Sequence, residues 1–268
     1  MTFSSIELLP NKALPIDTLP IDKQKVAAAF SRAATSYEQH NELQQRTGRA
    51  LLAELPHYGQ YGLDLGCGSG WFAPALATKT DCLLALDLSP AMLQQATTKA
   101  RLWPICADMD HPPIAKHSLD WIFANLCMQW SADPAAWLTQ WSERLAPGGV
   151  LVFSTLLDGS LQSLAQCWRH AGLPSPINDF IKPHSLMSAL QATGRSWQLQ
   201  QTTEQLSYPH LTALLKDLKG IGANQVNGPR STGLMGKKRW QQLNNSYPKT
   251  SQGQCMATYH LAYGVIYG

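Results

Sequence analysis

An α/β fold with a mostly parallel sheet, an antiparallel C-terminal strand and helices on both faces is predicted by three observations. Short β-type runs alternate with helical segments between residues 61 and 156, and that rhythm calls for parallel strands joined by right-handed crossovers. A glycine-rich loop leaves the first of these strands and enters a helix. Two late runs, 197–208 and 257–268, alternate like strands with no short hairpin turn between them. They suit an antiparallel pair that closes the sheet.

The elements follow in order. Residues 1–20 carry three prolines and no basic stretch, and read as a loose tail rather than a secretory signal. The remainder, 21–268, reads as one domain. Asp22 is placed to cap a helix over KQKVAAAFSRAA. A second helical run, 37–55, ends at Pro56, and together residues 22–55 are candidates for a lid. A first strand (61–66) and a helix through Ala77 come next, then a second strand (82–88). Pro90 opens the helix 90–100, where its missing N–H costs nothing. The third strand (102–107) is weak, and Pro104 gives it an edge character. A fourth strand (119–126) precedes a helix that opens at Asp133-Pro134, covers 135–145 and stops at Pro147-Gly148-Gly149. A fifth strand covers 150–156. Residues 158–194 read as mostly helical, and 209–254 as a basic insertion between the late strands and a second lid candidate.

Composition narrows the class. With 268 residues, 44% hydrophobic and 15% charged, the chain can bury an ordinary globular core. No run approaches the ~18 apolar residues of a membrane span. Six cysteines without a C-x-x-C pair suit a reducing, cytoplasmic home. Eight histidines without ligand spacing offer no metal site.

The strongest local signal is residues 63–71, LDLGCGSGW. Gly66, Gly68 and Gly70 let the backbone turn sharply and approach a ligand closely. The helix start behind them presents free N–H groups to an anion. A dinucleotide fingerprint would be G-x-G-x-x-G, but here Trp71 stands where its third glycine belongs. A charged amino-acid nucleoside fits better, with its carboxylate on the helix start and its ammonium on Asp64. Asp87 ends the second strand about 20 residues past the first glycine, where a carboxylate accepts from ribose hydroxyls. Its plainer reading is a helix cap, a task that Ser89 can also fill. Leu88 follows it along the same edge. Asp108 ends the third strand, suited to the adenine amine, with Met109 beside the ring; a solvated loop acid is the alternative. Three acids at successive strand ends are stronger evidence than any one of them, because ligands of open α/β sheets bind at that edge.

With these residues in view, the chain resembles the class I S-adenosylmethionine-dependent methyltransferases, which have a Rossmann-like methyltransferase sheet. Within them it is similar to the malonyl-acyl-carrier-protein O-methyltransferases of biotin synthesis. The similarity runs from about residue 22 to 267 and is carried by AFSRAA with Tyr37-Glu38, residues 63–71 and 85–93, and Asn125-x-x-x-Gln129-Trp130. Residues 154–161, LKGIGA (218–223) and TYHL (258–261) add to it. The 102–107 stretch with its Pro104 departs from the family pattern. The resemblance implies S-adenosylmethionine as co-substrate and malonyl on acyl carrier protein as methyl acceptor. The product would be a methyl ester that primes pimeloyl synthesis. A small-molecule acceptor such as a quinone precursor is the alternative.

The implied chemistry needs no general base. A malonyl carboxylate has a pKa near 3–4 and is already ionised at pH 7. Opposite charges cancel in the transition state, so neutral donors and aromatic walls suit the acceptor site. Tyr37, Gln129 and Trp130 have that character and are read as substrate-positioning residues. Tyr37 lies seven residues after Phe30, two turns along one helical face if the helix is continuous; both could equally be core packing. Asn125 ends the fourth strand beside the expected methyl position, or else caps that strand.

Residues 216–249 hold seven bases against Asp217 alone, in a chain whose net charge is only +3. A basic face steers an acidic partner, so Lys219, Arg230, Lys237, Lys238 and Arg239 are read as carrier-docking residues, with a solvated helix face as the alternative. The aromatics are not interleaved with these bases, which disfavours nucleic acid.

Overall fold

The computed structural model describes residues 21–56, 58–222 and 236–268. Its centre is a seven-stranded sheet: β1 (Gly59–Leu65), β2 (Thr80–Asp87), β3 (Trp103–Cys106), β4 (Leu119–Asn125), β5 (Leu145–Leu156), β6 (Trp197–Tyr208) and β7 (Cys255–Tyr267). The order across the sheet is β3-β2-β1-β4-β5-β7-β6. β1 pairs in parallel with β2 and β4, while β7 runs antiparallel to both β5 and β6. The predicted fold class is therefore the observed one, and β3 with Pro104 does take an edge. Strand order reverses beside β1, so the glycine loop leaves the sheet at the switch point where open α/β folds bind ligands.

The helices are α1 (Lys23–Ala33), α2 (Glu42–Glu54), α3 (Ala73–Ala77), α4 (Pro90–Thr97), α5 (Pro134–Ser142), α6 (Gln162–His170), α7 (Pro183–Ala192), α8 (Leu211–Gly220) and α9 (Lys237–Ser246). Local rules set many of their starts. Asp22 accepts from the Lys25 N–H, Ser89 from Met92, and Asp133 from Ala135 and Ala136. Pro90 and Pro134 occupy first-turn positions, where no intrahelical N–H is lost.

Packing explains which helix covers which face. On one face, Trp137, Leu138 and Trp141 of α5 and Leu186 and Leu190 of α7 meet Leu63, Leu65, Ile122, Leu151 and Phe153. On the other, Leu51 and Leu55 and α3's Ala73 and Leu76 meet Trp121, Phe123, Val150 and Val152. Most of α2 thus belongs to a layer packed on the sheet, which leaves residues 22–40 to lie over the strand ends. Apolar residues of α6, α8 and α9 form a third cluster with β6 and β7.

Several boundaries differ from the sequence reading. The run 37–55 is not one helix: residues 37–39 form a 3-10 turn and α2 begins at Glu42. The helix expected to reach 145 ends at Ser142, and β5 begins at Leu145, opposite Leu119. Its Pro147-Gly148-Gly149 segment sits at a register shift, with Gly148 at φ 80°, so these residues bulge a strand instead of separating it from a helix. Between α6 and α7 the chain is non-helical, and Ile181 bridges to Leu157. No described helix is long and apolar enough to cross a membrane.

Candidate active site

The site is built from the glycine loop outward. Gly66, Gly68 and Gly70 have φ of 70°, 53° and 74°, the left-handed region that glycine enters without strain. A Cβ on Gly70 would lie 2.6 Å from the Ala96 Cα, so this glycine lets the loop rest on α4. A Cβ on Gly68 would meet nothing nearer than the Tyr37 ring, 3.9 Å away. The middle of the loop therefore faces an open side, roofed by Tyr37.

Asp64 and Asp87 lie beneath this roof. Asp87 Oδ2 accepts from the Gly68 N–H (3.0 Å) and Oδ1 from the Ser89 N–H (2.8 Å). Ser89, not Asp87, caps α4. Burial raises the Asp87 pKa, opposed by the N–H groups of Ser89, Gly68 and Leu88. Asp64 is 3% exposed and has no hydrogen-bond partner among the described residues. Burial, then the charge of Asp87, pushes its pKa up to about 8. Tyr37 feels burial first and then both acids, so its hydroxyl stays protonated. Cys67 and Cys127 are likewise raised by burial and the same acids, so neither is a thiolate nucleophile. A buried acid without a hydrogen-bond partner among the described residues, beside a second acid and under a phenol, fits a cationic group.

The 3-10 turn that carries Tyr37 is pinned to the loop. Glu38 accepts from Ser69 Oγ (2.9 Å) and pairs with Lys99, whose ammonium lies 5.6 Å from the Trp71 ring centroid. Farther along, Ser31 and Ser89 hydroxyls meet at 2.8 Å. Sequence reading gave Ser31, Glu38, Ser69 and Lys99 no role, because each is an ordinary surface residue type until its partner is known. Tyr37 itself reaches the site from the turn, and not along a shared helical face with Phe30. Phe30 instead packs edge-on against Trp130 (5.4 Å) and lies close to Gly222.

The remaining expected site residues divide. Gln129 is tied by its Nε2 to the Leu126 carbonyl (2.8 Å), within the turn that also holds Trp130. Leu88 follows Asp87 on the same edge, half-buried. Met109 is a core side chain whose carbonyl accepts from Trp141. Asp108 is not a free acceptor: its Oδ1 takes the Lys23 ammonium (3.0 Å) and the Asp110 N–H (3.0 Å). Burial alone would raise its pKa, but these contacts hold it below the usual value.

Asn125 is held by several neighbours. Its Oδ1 accepts from Thr47 (2.7 Å) and Ser154 (2.8 Å), and its Nδ2 donates to the Gln44 carbonyl (2.9 Å). It ties α2, β4 and β5 together through these contacts. Asn125→Ala is expected to cost about 1–3 kcal/mol, because partly buried hydroxyls and a carbonyl lose their partner. A urea melt measures this, and affinity for S-adenosylhomocysteine should change less than about threefold.

Of the residues that the sequence suggests for carrier docking, Lys219, Lys237, Lys238 and Arg239 are exposed on α8 and α9. Arg230 lies outside the described residues. The carboxyl end of α8 approaches the site: Asp217 pairs with His40 (2.8 Å) and Ser36 donates to the Gly220 carbonyl.

Comparison with known proteins bears on the family and the fold. Residues 63–153 match the model of a methyltransferase domain family. Solved structures share the fold: the YcgJ protein of Bacillus subtilis has a TM-score of 0.61 at 11% identity, with 83% of this chain and 98% of that one covered. A methyltransferase of Haloferax volcanii in complex with its Trm112 activator has a TM-score of 0.56 at 18% identity, with coverage of 89% and 96%. Closer in sequence is the malonyl-acyl-carrier-protein O-methyltransferase of Yersinia pestis, 37% identical over 251 residues, 93% of each chain. That of Enterobacter lignolyticus is 39% identical, covering 92% of this chain and 98% of its own. On this identity across nine-tenths of its length, the chain belongs to the malonyl-acyl-carrier-protein O-methyltransferase family.

Proposed function

We propose that this chain transfers the methyl group of S-adenosylmethionine to the free carboxylate of malonyl held on acyl carrier protein. The observation that carries the cofactor half is Asp64, a buried acid with a pKa pushed up to about 8 and no hydrogen-bond partner among the described residues, next to three left-handed glycines. The ammonium of an amino-acid nucleoside supplies the missing charge, and its carboxylate and sugar fit the loop N–H groups and Asp87. When bound, the co-substrate supplies an activated methyl on a sulfonium; its passage to a carboxylate oxygen leaves S-adenosylhomocysteine and a neutral ester, with no proton moved.

The chain's own residues then have limited tasks. Asp64 and Asp87 hold the nucleoside, Tyr37 roofs the loop as a neutral donor, and Gln129, Trp130 and Phe30 offer a wall of low charge for the acceptor. Such a wall removes water from the carboxylate without pairing it with a cation, which would stabilise the ground state. Holding the reacting oxygen about 3–3.5 Å from the methyl carbon is the main source of rate. The acceptor assignment rests on family membership and on the basic residues of α8 and α9, which suit an acidic carrier.

The test is one assay with labelled S-adenosylmethionine and three acceptors: malonyl-carrier protein, malonyl-coenzyme A and a quinone precursor. Ester on the carrier supports the reading, and transfer only to the quinone precursor overturns it. Docking has its own test. The triple change Lys237→Glu, Lys238→Glu, Arg239→Glu is expected to raise KM for the carrier substrate about tenfold at low salt, with the difference shrinking as salt screens it. Unchanged KM at low salt would remove α9 from the docking surface.

A further inference from the structure

Lys23 joins the loop after β3 to the turn that bears Gln129 and Trp130. Its ammonium lies 3.0 Å from Asp108 Oδ1, 2.7 Å from Asp110 Oδ2 and 2.9 Å from the Trp130 carbonyl. These partners are 85 to 107 residues away in sequence. The ammonium thus donates to Asp108 and to the Trp130 carbonyl and pairs with Asp110, and its side chain is 21% exposed. The two acids stand on the same loop after β3 and would repel each other without a shared cation. Asp110 depends on it strongly: among the described residues Oδ2 has Lys23 and the Ala132 N–H, and Oδ1 is buried without a hydrogen-bond partner.

We propose that Lys23 is a positioning residue for adenine recognition, acting through Asp108. Oδ1 of Asp108 is immobilised by Lys23 and the Asp110 N–H, and Oδ2 makes no hydrogen bond among the described residues, with His111 Nδ1 3.7 Å away. One oxygen is therefore anchored so that the other is presented to the exocyclic amine. Because Lys23 sits in the first turn of α1, this presentation exists only while α1 is docked. Adenine selection and closure of the 22–40 segment become one event. The same ammonium holds the turn bearing Gln129 and Trp130, so the acceptor wall is set by it too. This inference rests on the cofactor assignment proposed above.

The experiment compares binding of S-adenosylhomocysteine with that of S-inosylhomocysteine, which carries an oxygen where adenine has its amine. Calorimetry on the full chain is done for wild type, Lys23→Met and Lys23→Arg. Wild type is expected to prefer the adenosyl ligand by about tenfold or more, the size of one hydrogen bond to a charged acceptor. Lys23→Met should bring the preference below about threefold while changing inosyl binding little, and Lys23→Arg should restore it. In turnover, Lys23→Met should raise KM for S-adenosylmethionine more than it lowers kcat. Equal weakening of both ligands, or an unchanged preference, overturns the positioning role, since a merely structural cation would act so. Wild type that binds both ligands equally overturns the assignment of Asp108 to the amine. Wild type that binds neither overturns the cofactor reading itself, so the two failures are told apart.

Discussion

Asp64→Asn is expected to weaken binding of S-adenosylhomocysteine strongly and, at the same time, to raise the melting temperature of the ligand-free protein. The two effects have one cause. Asp64 is 3% exposed, and its pKa is raised to about 8 by burial and by Asp87. Between the unfolded value near 4 and the folded value near 8, the native state holds a proton that the unfolded chain has released. Stability from this group is therefore lost as pH rises through that window. The amide carries no charge and removes the dependence. The variant should melt about 2–4 °C higher at pH 8.5, for a gain of about 1 kcal/mol, with less difference at pH 6. Binding should weaken by roughly 100-fold, the order expected when one partner of a buried ion pair is removed. Calorimetry and thermal melts at the two pH values read both effects. A variant that binds like wild type would show that the ammonium site lies elsewhere.

The second large effect is expected at Gly70. Alanine there must adopt φ near 74° and place its Cβ 2.6 Å from the Ala96 Cα and 2.7 Å from its Cβ. Neither neighbour can rotate away, because Ala96 lies with Met92 and Leu93 on the buried face of α4. The left-handed conformation costs about 1–2 kcal/mol, and overpacking against backbone about 1–3. Gly70→Ala should therefore lose about 2–5 kcal/mol in a urea melt, with the loop displaced and binding lost. Gly68→Ala is the control. It has a similar φ but only the Tyr37 ring 3.9 Å from its Cβ, so it should cost about 1–2 kcal/mol. Equal losses at the two positions would refute the packing account.

The contrast between these glycines shows how far sequence reasoning reaches. The strand–loop–helix unit around 63–71 was legible because each glycine sits where the backbone must turn. Asp87 was legible because it ends the next strand at the expected interval. The caps at Asp22, Ser89 and Asp133 follow from side chains that reach N–H groups two or three residues on. Alternation along 197–208 and 257–268 announced an antiparallel pair, and β6 and β7 are that pair.

Other features were not legible, and each involves a partner chosen by docking. Residues 37–55 have helical composition, yet the Tyr37 turn is held apart from α2 by the Glu38 contacts to Ser69 and Lys99. Asn125 has the type and position of a ligand, but Thr47 and Ser154 donate to its oxygen and its nitrogen donates to the Gln44 carbonyl. Asp108 looked free until α1 delivered Lys23 to it.

By itself, then, the sequence determined the α/β class, the turn chemistry of the cofactor loop and the acids on either side of it. These follow from φ preference, hydrophobic period and reach along the chain, all of which act within a few residues. Only the tertiary structure decided which polar groups remain open to a ligand. That outcome depends on contacts between residues tens to more than a hundred positions apart, made when α1 and α2 settle over the sheet, and the free energy of satisfying each buried polar group selects among them.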